Sequence, residues 1–182
     1  MDKAVLRRAM KERLAALSDG ERSRLSLKIC ENIASLPEFE GAKTVLLYLP
    51  LKSEPDVSSL AGICRRRGKT AAYPKAEGDA MRFFASDAFV KGALGVYEPE
   101  GGREVFPDAF TVAVIPALAY RPDGHRLGRG GGYYDRFLSG FAGAKIGAAF
   151  GFAVLPSGSF DALPHDVPVD VIVTEAEVQR HS

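Results

Sequence analysis

The chain has 182 residues, the length of one ordinary domain. Hydrophobic residues make up 46% of it and charged residues 26%, as in a typical globular protein. The formal net charge of +1 excludes a global field that would attract nucleic acid or an anionic membrane, so anion binding would need a local basic cluster. No apolar run approaches the roughly 20 residues that span a bilayer, and the N-terminus lacks the apolar core of a secretory signal. We therefore expect a cytoplasmic protein.

Apolar periodicity and turn residues predict the elements in chain order. Leu6, Met10, Leu14 and Leu17 recur at helical spacing and predict a first helix. Ser18 and Glu21 form a capping box for a second helix, which ends before Pro37. Further helices are predicted over residues 57–67 and 133–138, strands over 44–49, 69–73, 81–85, 111–115, 145–150 and 169–173, and a loop over 98–108.

Strands that alternate with helices favour a mostly parallel sheet covered on both faces. We therefore predict an α/β fold, a single-domain three-layer structure in which helices flank a mostly parallel open sheet, over residues 1–182. The first two helices break the alternation and are expected to pack across the sheet. Cys30 and Cys64 lie in helical segments without metal-ligand spacing, so we expect two free buried thiols.

The segment from Asp123 to Arg136 (DGHRLGRGGGYYDR) carries the strongest functional signal in the chain. Its four glycines allow the backbone to approach a ligand and to turn successive N–H groups toward an anion. A helix follows at once, and the segment itself follows a buried strand, the usual position of ligands in open α/β sheets. Arg126 and Arg129 add charge in a geometry suited to phosphate oxygens, and Asp135 could hold a magnesium ion that bridges phosphates. A flexible surface loop with solvated arginines is the alternative.

Two familiar phosphate-binding motifs are absent. The Gly-x-Gly-x-x-Gly pattern would need glycine at position 133, which is Tyr133. The segment from Gly62 to Thr70 approaches the Walker A spacing, but its first glycine comes one residue early and its helix precedes its strand. An anion-binding nest of backbone N–H groups at Arg126 to Asp135 is therefore predicted from residue chemistry alone.

Two basic residues of the first helix share its apolar face. At about 100° per residue, Lys3 falls within the arc of apolar side chains, Arg7 falls at its edge, and Arg8 faces the opposite side. A cation that faces the core needs a negatively charged partner, because burial of an unpaired charge is costly. An anionic ligand would supply one, and a lysine that extends to solvent at the frayed terminus is the equally favoured alternative.

Several motifs together resemble the 5-formyltetrahydrofolate cyclo-ligase family, also called methenyltetrahydrofolate synthetase. They are Lys3 to Arg7 followed by LSDGERSRLS, the segment TVLLYLPLKSEPD with Glu54, Tyr73 to Lys75, Gly102 to Glu104, LGRGGGYYDRFL within Asp123 to Leu138, and VPVDVIVTE. They span nearly the whole chain in the order of the family. The glycine-rich segment is the most specific of them.

The resemblance implies a ligase that forms a C–N bond. Its members use ATP and magnesium to phosphorylate the formyl oxygen of 5-formyltetrahydrofolate, after which N10 attacks the formyl carbon and phosphate departs to give 5,10-methenyltetrahydrofolate. The implied partners are the small-molecule folate and ATP, with no nucleic acid and no membrane, and we expect a monomer.

The resemblance also implies site residues. The ATP site would comprise Lys3, Ala4, Val5, Leu6, Arg7, Arg126, Leu127, Gly128, Arg129, Gly130, Gly131, Gly132, Tyr133 and Tyr134. The folate site would comprise Leu49, Glu54, Arg129, Gly130, Gly131, Gly132 and Tyr133. Arg126, Arg129 and Tyr133 are the expected catalytic residues, and Asp135 and Asp170 the expected magnesium ligands.

Some alternatives stay open at this stage. Glu54 could accept hydrogen bonds from a pterin edge, but its residue type alone favours a solvated loop carboxylate. Gly131 stands where some family members carry lysine, so one positive charge is missing. The rival functions are another phosphotransfer or phosphosugar enzyme on a similar sheet, and a nucleic-acid-binding module that uses Arg126, Arg129 and Arg136. The low net charge and the lack of a basic stripe disfavour the module.

Overall fold

The computed structural model describes residues 2–93 and 95–181. Its helices are α1 Lys3–Ala15, α2 Asp19–Ala34, α3 Pro37–Gly41, α4 Ser59–Arg66 and α5 Tyr133–Leu138, with a 3₁₀ turn at Gly151–Ala153. Its strands are β1 Thr44–Leu46, β2 Thr70–Glu77, β3 Ala80–Ala85, β4 Phe89–Lys91, β5 Tyr97–Pro99, β6 Arg103–Val105, β7 Thr111–Pro116, β8 Ala119–Tyr120, β9 Arg126–Leu127, β10 Ala144–Ala148, β11 Val171–Val173 and β12 Val178–Arg180. No helix in the described ranges is long and apolar enough to cross a membrane.

One sheet of eight strands organises the protein, in the order β12-β11-β10-β7-β1-β2-β3-β6. The five strands from β11 to β2 run parallel, and β12, β3 and β6 are antiparallel additions at the two sides. The parallel strands β7 and β11 are buried on both faces, as their continuous apolar sequences require.

The two faces of the sheet carry different layers. One core joins α1, α2, α3 and α4 to the strand residues on the facing side of the sheet, such as Val45, Val112 and Ile146. The other joins α5 and Tyr120 of β8 to Leu46 and Ala113. The fold is thus a three-layer α/β domain, and the predicted fold class, including the packing of the first two helices across the sheet, is confirmed.

Several predicted boundaries are wrong. The strand expected to end before Pro74 continues to Glu77, because beyond Ala72 it pairs only with β3 and the missing N–H of Pro74 breaks no ladder on the β1 side. The predicted loop over 98–108 contains the end of β5 and all of β6. Its paired Gly101 and Gly102, with φ of 72° and 94°, form the turn between these two strands.

The remaining differences concern short elements. The strand predicted over 44–49 forms a ladder only from Thr44 to Leu46. The five-residue α3, which begins at Pro37, and the strands β4, β8, β9 and β12 were not predicted. Elements of two to five residues carry too few apolar repeats to show a period, so pattern analysis misses them.

Candidate active site

The glycine-rich loop lies at the carboxyl edge of the parallel strands. Arg129 reaches Glu54, which follows β1, and Tyr133 reaches the turn at Gly78 that follows β2. The loop leaves the β8–β9 hairpin at Leu127 and enters α5 at Tyr133. This is the edge at which open α/β sheets bind ligands.

The four glycines of the loop are not equivalent. Gly130 and Gly132 adopt positive φ of 107° and 69°, whereas Gly128 and Gly131 do not. In the part of the chain that the structure describes, no backbone N–H from residue 129 to residue 134 donates a hydrogen bond to a protein acceptor. The loop therefore offers a run of free donors, which is the property of an anion-binding nest.

Helix α1 packs against this loop from the side. Leu6, with Met10 and Leu14, enters the core, while Ala4 and Val5 are exposed. Arg7 donates from Nε to the carbonyl oxygen of Gly128 at 2.9 Å. Lys3 is partly buried, with its Nζ 3.5 Å from Oδ2 of Asp166. Lys3 and Arg7 thus face inward as the helical angle predicted, and Arg8 is exposed.

Arg126 differs from the open cation that the sequence indicated. Only 5% of its side chain is exposed. Its Nη1 donates to the carbonyl oxygen of Val167 at 2.5 Å, and its Nη2 forms an ion pair with Asp135. Leu127 beside it belongs to the core. The charge of Arg126 is therefore already neutralised within the protein.

Arg129 joins the loop to the segment after β1. Its Nε lies 3.2 Å from Oε1 of Glu54, and its Nη2 donates to Oγ of Ser53 at 2.7 Å. The Glu54 side chain is 7% exposed and accepts from the backbone N–H of Leu51 at 2.9 Å. The expectation of a solvated carboxylate at Glu54 is therefore wrong. Leu49 is partly buried and packs against the core of the α1 face.

The two tyrosines after the glycines have different environments. Tyr133 donates from its hydroxyl to the carbonyl oxygen of Gly78 at 3.1 Å, and its ring lies 4.9 Å below the guanidinium of Arg136. Tyr134 packs against the α5-side core. Burial of its phenol, followed by the charge of Glu54, raises the pKa of Tyr134 well above its usual range, so this hydroxyl stays protonated.

The two expected magnesium ligands lie in different surroundings. Oδ1 of Asp135 takes the ion pair with Arg126 and accepts from the backbone N–H of Val167 at 3.2 Å, which leaves its Oδ2 without a hydrogen bond in the described ranges. Asp170 lies at the amino ends of β10 and β11. Its carboxylate accepts from the backbone N–H of Lys145 at 2.7 Å and forms an ion pair with Nζ of Lys145 at 3.2 Å. The structure shows no hydrogen bond between Asp170 and the described loop.

Residues 2–93 and 95–181 contain no group of three or more Asp, Glu, His or Cys side chains that could hold a metal alone. The donor set instead suits magnesium, which is commonly bound by one or two carboxylates together with phosphate oxygens. Asp135, with one free carboxylate oxygen at the start of α5, fits that role.

Four residues of the site were not found by sequence reasoning. Asp166 pairs with Lys3, and its neighbour Val167 bonds both Arg126 and Asp135. Arg22 of α2 donates to the carbonyl oxygens of Leu51 and Glu54, at 3.0 and 2.9 Å, and so fixes the turn that carries Glu54. Ser53 bonds Arg129. No sequence spacing linked these residues to the loop, because each meets it only through the fold.

The α/β layers and the glycine- and arginine-rich loop define the class of protein, which is a three-layer α/β domain with a loop of free backbone donors at the carboxyl edge of its sheet. The model of the 5-formyltetrahydrofolate cyclo-ligase family matches residues 1–175. The chain therefore belongs to the 5-formyltetrahydrofolate cyclo-ligase family, and it is an enzyme of the ligase class.

Solved structures agree with this assignment. The 5,10-methenyltetrahydrofolate synthetase of Aquifex aeolicus shares 39% identity at a TM-score of 0.84, over 99% of this chain and 93% of that one. The synthetase of Mycoplasma pneumoniae shares 31% identity at a TM-score of 0.79, over 96% and 99% of the two chains. Among curated sequences, a probable 5-formyltetrahydrofolate cyclo-ligase of Schizosaccharomyces pombe is 26% identical over 100% of this chain and 98% of its own length.

Proposed function

We propose that this enzyme cyclises 5-formyltetrahydrofolate to 5,10-methenyltetrahydrofolate, with ATP and magnesium and with release of ADP and phosphate. The observation that carries the proposal is the meeting, at one sheet edge, of the glycine loop, the inward face of α1 and the buried carboxylate of Glu54. A triphosphate and a pterin would need such neighbouring sites, because the phosphoryl group passes from one ligand to the other.

The residues of the loop would bind the nucleotide. The free N–H groups from Arg129 to Tyr134 would hold phosphate oxygens, and Arg7 would approach them from α1. Magnesium, when bound, would neutralise phosphate charge and orient the transferred group. Asp135 would hold it through Oδ2. Asp170 is the second metal ligand that the resemblance implies, and its pairing with Lys145 makes it the weaker candidate.

Glu54 would bind the pterin. Its carboxylate is buried and fixed by Leu51 and Arg129, so a flat ligand with two adjacent N–H donors would meet oriented acceptors. Tyr133 and Leu49 supply flat and apolar surface nearby. In this proposal the formyl oxygen takes the γ-phosphoryl group with loss of ADP. N10 then attacks the formyl carbon, its proton is lost, and the carbon–oxygen bond to phosphate breaks.

The chemistry needs positioning and charge neutralisation more than a protein nucleophile. A formyl oxygen leaves poorly until it is phosphorylated, and positive groups held beside the phosphoryl oxygens lower the barrier to both steps. Arg126 and Arg129 are the proposed catalytic cations, with Tyr133 beside them. The pairing of Arg126 with Asp135 makes its contribution indirect, through the position of that carboxylate.

The direct test is conversion of 5-formyltetrahydrofolate by the purified protein in the presence of ATP and magnesium. We expect the near-ultraviolet absorbance of the methenyl product to appear only when both are present, with one ADP formed per product. Product formation without ATP, or none under conditions in which a known cyclo-ligase works, would refute the proposal. Size-exclusion chromatography would test the expected monomer, and fractionation of cells the expected cytoplasmic location.

Two of the three arginines on which the nucleic-acid alternative depends are paired with carboxylates. Arg126 and Arg129 each pair with a carboxylate, so they form no basic surface stripe with Arg136. A phosphosugar enzyme would share the loop, and activity on the folate distinguishes it.

A further inference from the structure

The charges that the sequence placed at the phosphate site largely cancel one another. Lys3 pairs with Asp166, Arg126 with Asp135, and Arg129 with Glu54. A cation that is already paired attracts an incoming polyphosphate less than a free one, because its partner repels the same anion. The net positive charge of the site must therefore come from other residues.

Among the described residues, Arg7 and Arg136 are the two basic side chains that touch the loop without a carboxylate partner. Both contact loop carbonyl oxygens, Arg7 at Gly128 and Arg136 at Gly131, each at 2.9 Å. Neither lies within 4.0 Å of a carboxylate oxygen anywhere in residues 2–93 and 95–181. A carbonyl oxygen orients a guanidinium but leaves its full charge in place.

Arg136 is held over the loop from the α5 side. Its Nε donates to the carbonyl oxygen of Asp79 at 2.8 Å, in the turn between β2 and β3, and its guanidinium covers the ring of Tyr133. The Nη1 atom is so close to the backbone that a Cβ on Gly132 would lie 2.7 Å from it. Two of the five N–H groups of the guanidinium are bonded, which leaves three for a ligand.

We propose that Arg136 contacts a phosphate group of the nucleotide and, with Arg7, supplies the net positive charge of the glycine loop. This proposal rests on the function proposed above and adds a nucleotide-binding residue to it. The two carbonyl bonds and the tyrosine ring fix the guanidinium in advance, so less conformational entropy is lost when phosphate binds.

Gly131 offers a way to separate charge from structural support. It is the middle glycine of the run at 130–132, and it has no positive φ, so its backbone can accept a side chain. An added Cβ would lie 3.1 Å from Cδ2 of Tyr133, so the edge of that ring would have to move by a few tenths of an ångström. A lysine there would return positive charge to the loop, whereas a glutamine there would return a hydrogen-bond donor without charge.

The experiment measures affinity for Mg·ATP, and for inorganic tripolyphosphate, by calorimetry on the full chain. Arg136→Gln removes the charge and keeps an amide donor near the position of Nε, which bonds the Asp79 carbonyl. A charge-assisted hydrogen bond to phosphate contributes enough that we expect a loss of about tenfold for both ligands. The matched control is Arg24→Gln, an exposed arginine on α2, which should bind as the unchanged protein does.

The double variant Arg136→Gln with Gly131→Lys should recover most of the affinity. Recovery by Gly131→Lys but not by Gly131→Gln, each combined with Arg136→Gln, would support a role of charge at the phosphate. Equal binding by Arg136→Gln and the unchanged protein would overturn the proposal. Failure of Gly131→Lys to restore binding would also overturn it and assign Arg136 to support of the loop alone.

The two proposals can fail separately. If tripolyphosphate binds in an Arg136-dependent manner but no methenyl product forms, the proposed function is wrong and the phosphate role of Arg136 stands. If product forms and Arg136→Gln leaves the KM for ATP unchanged, the proposed function stands and the role of Arg136 is wrong.

Discussion

Arg126→Ala removes a guanidinium that ties the start of α5 to the segment before β11. In the unchanged protein this group is 5% exposed, bonds the carbonyl oxygen of Val167 and pairs with Asp135. The substitution would leave that carbonyl without its donor and the carboxylate of Asp135 with only the backbone N–H of Val167. Each buried polar group left unsatisfied costs about 1–3 kcal/mol, and loss of one partner of a fully buried ion pair costs about 3–5 kcal/mol.

The carboxylate of Asp135 is 24% exposed and can regain some hydration, so the lower part of these ranges applies. We expect Arg126→Ala to lower the free energy of unfolding by about 3 kcal/mol. For a domain of this length, that corresponds to a decrease of roughly 6–12 °C in Tm. Urea titration and thermal melting, without ligand, measure the two quantities.

The matched control is Arg180→Ala, which breaks the more exposed pair between Arg180 and Glu38. Pairs at the surface contribute about 0–1 kcal/mol, so this variant should melt close to the unchanged protein. The double variant Arg126→Ala with Asp135→Ala should lose less stability than the two single losses added together, because they share one interaction. A loss for Arg126→Ala no larger than for Arg180→Ala would refute the structural role argued here.

Three further outcomes are expected. Glu54→Gln should raise the KM for the folate at least tenfold and that for ATP much less, in steady-state assays, since it removes one charged acceptor from a buried site. Gly130→Ala should lower stability in urea by about 1–2 kcal/mol because its φ is 107°, whereas Gly128→Ala, with open space around an added Cβ, should change it little. Burial raises the pKa of Cys64 to about 11 and raises that of Cys30, so at pH 8 only about one Cys64 thiol in a thousand is ionised. A thiol reagent should therefore react with both only after unfolding, and rapid reaction of the native protein would contradict this.

Local sequence signals predicted the bounds of some elements closely. Helix α5 begins and ends as expected, at Tyr133 and Leu138, and β3 differs from its predicted range by one residue. The inward side of α1 was also found, because Lys3 and Arg7 follow from the angle per residue alone. Local periodicity contains this information, so no partner has to be known.

The pairing of charges at the site could not be predicted in the same way. Lys3 and Asp166 are 163 residues apart, and Arg129 and Glu54 are 75 apart. Residue types show that a basic loop exists, but only the fold shows which carboxylates come within ion-pair distance. The sequence therefore indicated the position of the site and overstated the charge available there.

Because some cations of the site are paired and others are not, only some substitutions report on nucleotide binding. A loss of activity in Arg126→Ala would combine a stability defect with any effect on ATP, since the guanidinium is buried and paired. Arg7 and Arg136 are better probes, because both contact the loop through carbonyl oxygens and neither forms an ion pair among the described residues. If the site attracts polyphosphate by its net charge, substitution of Arg7 or of Arg136 by glutamine should weaken ATP binding. The unfolding curves of both variants should stay near that of the unchanged protein. Large stability losses in both would show that the loop depends on them for its own structure.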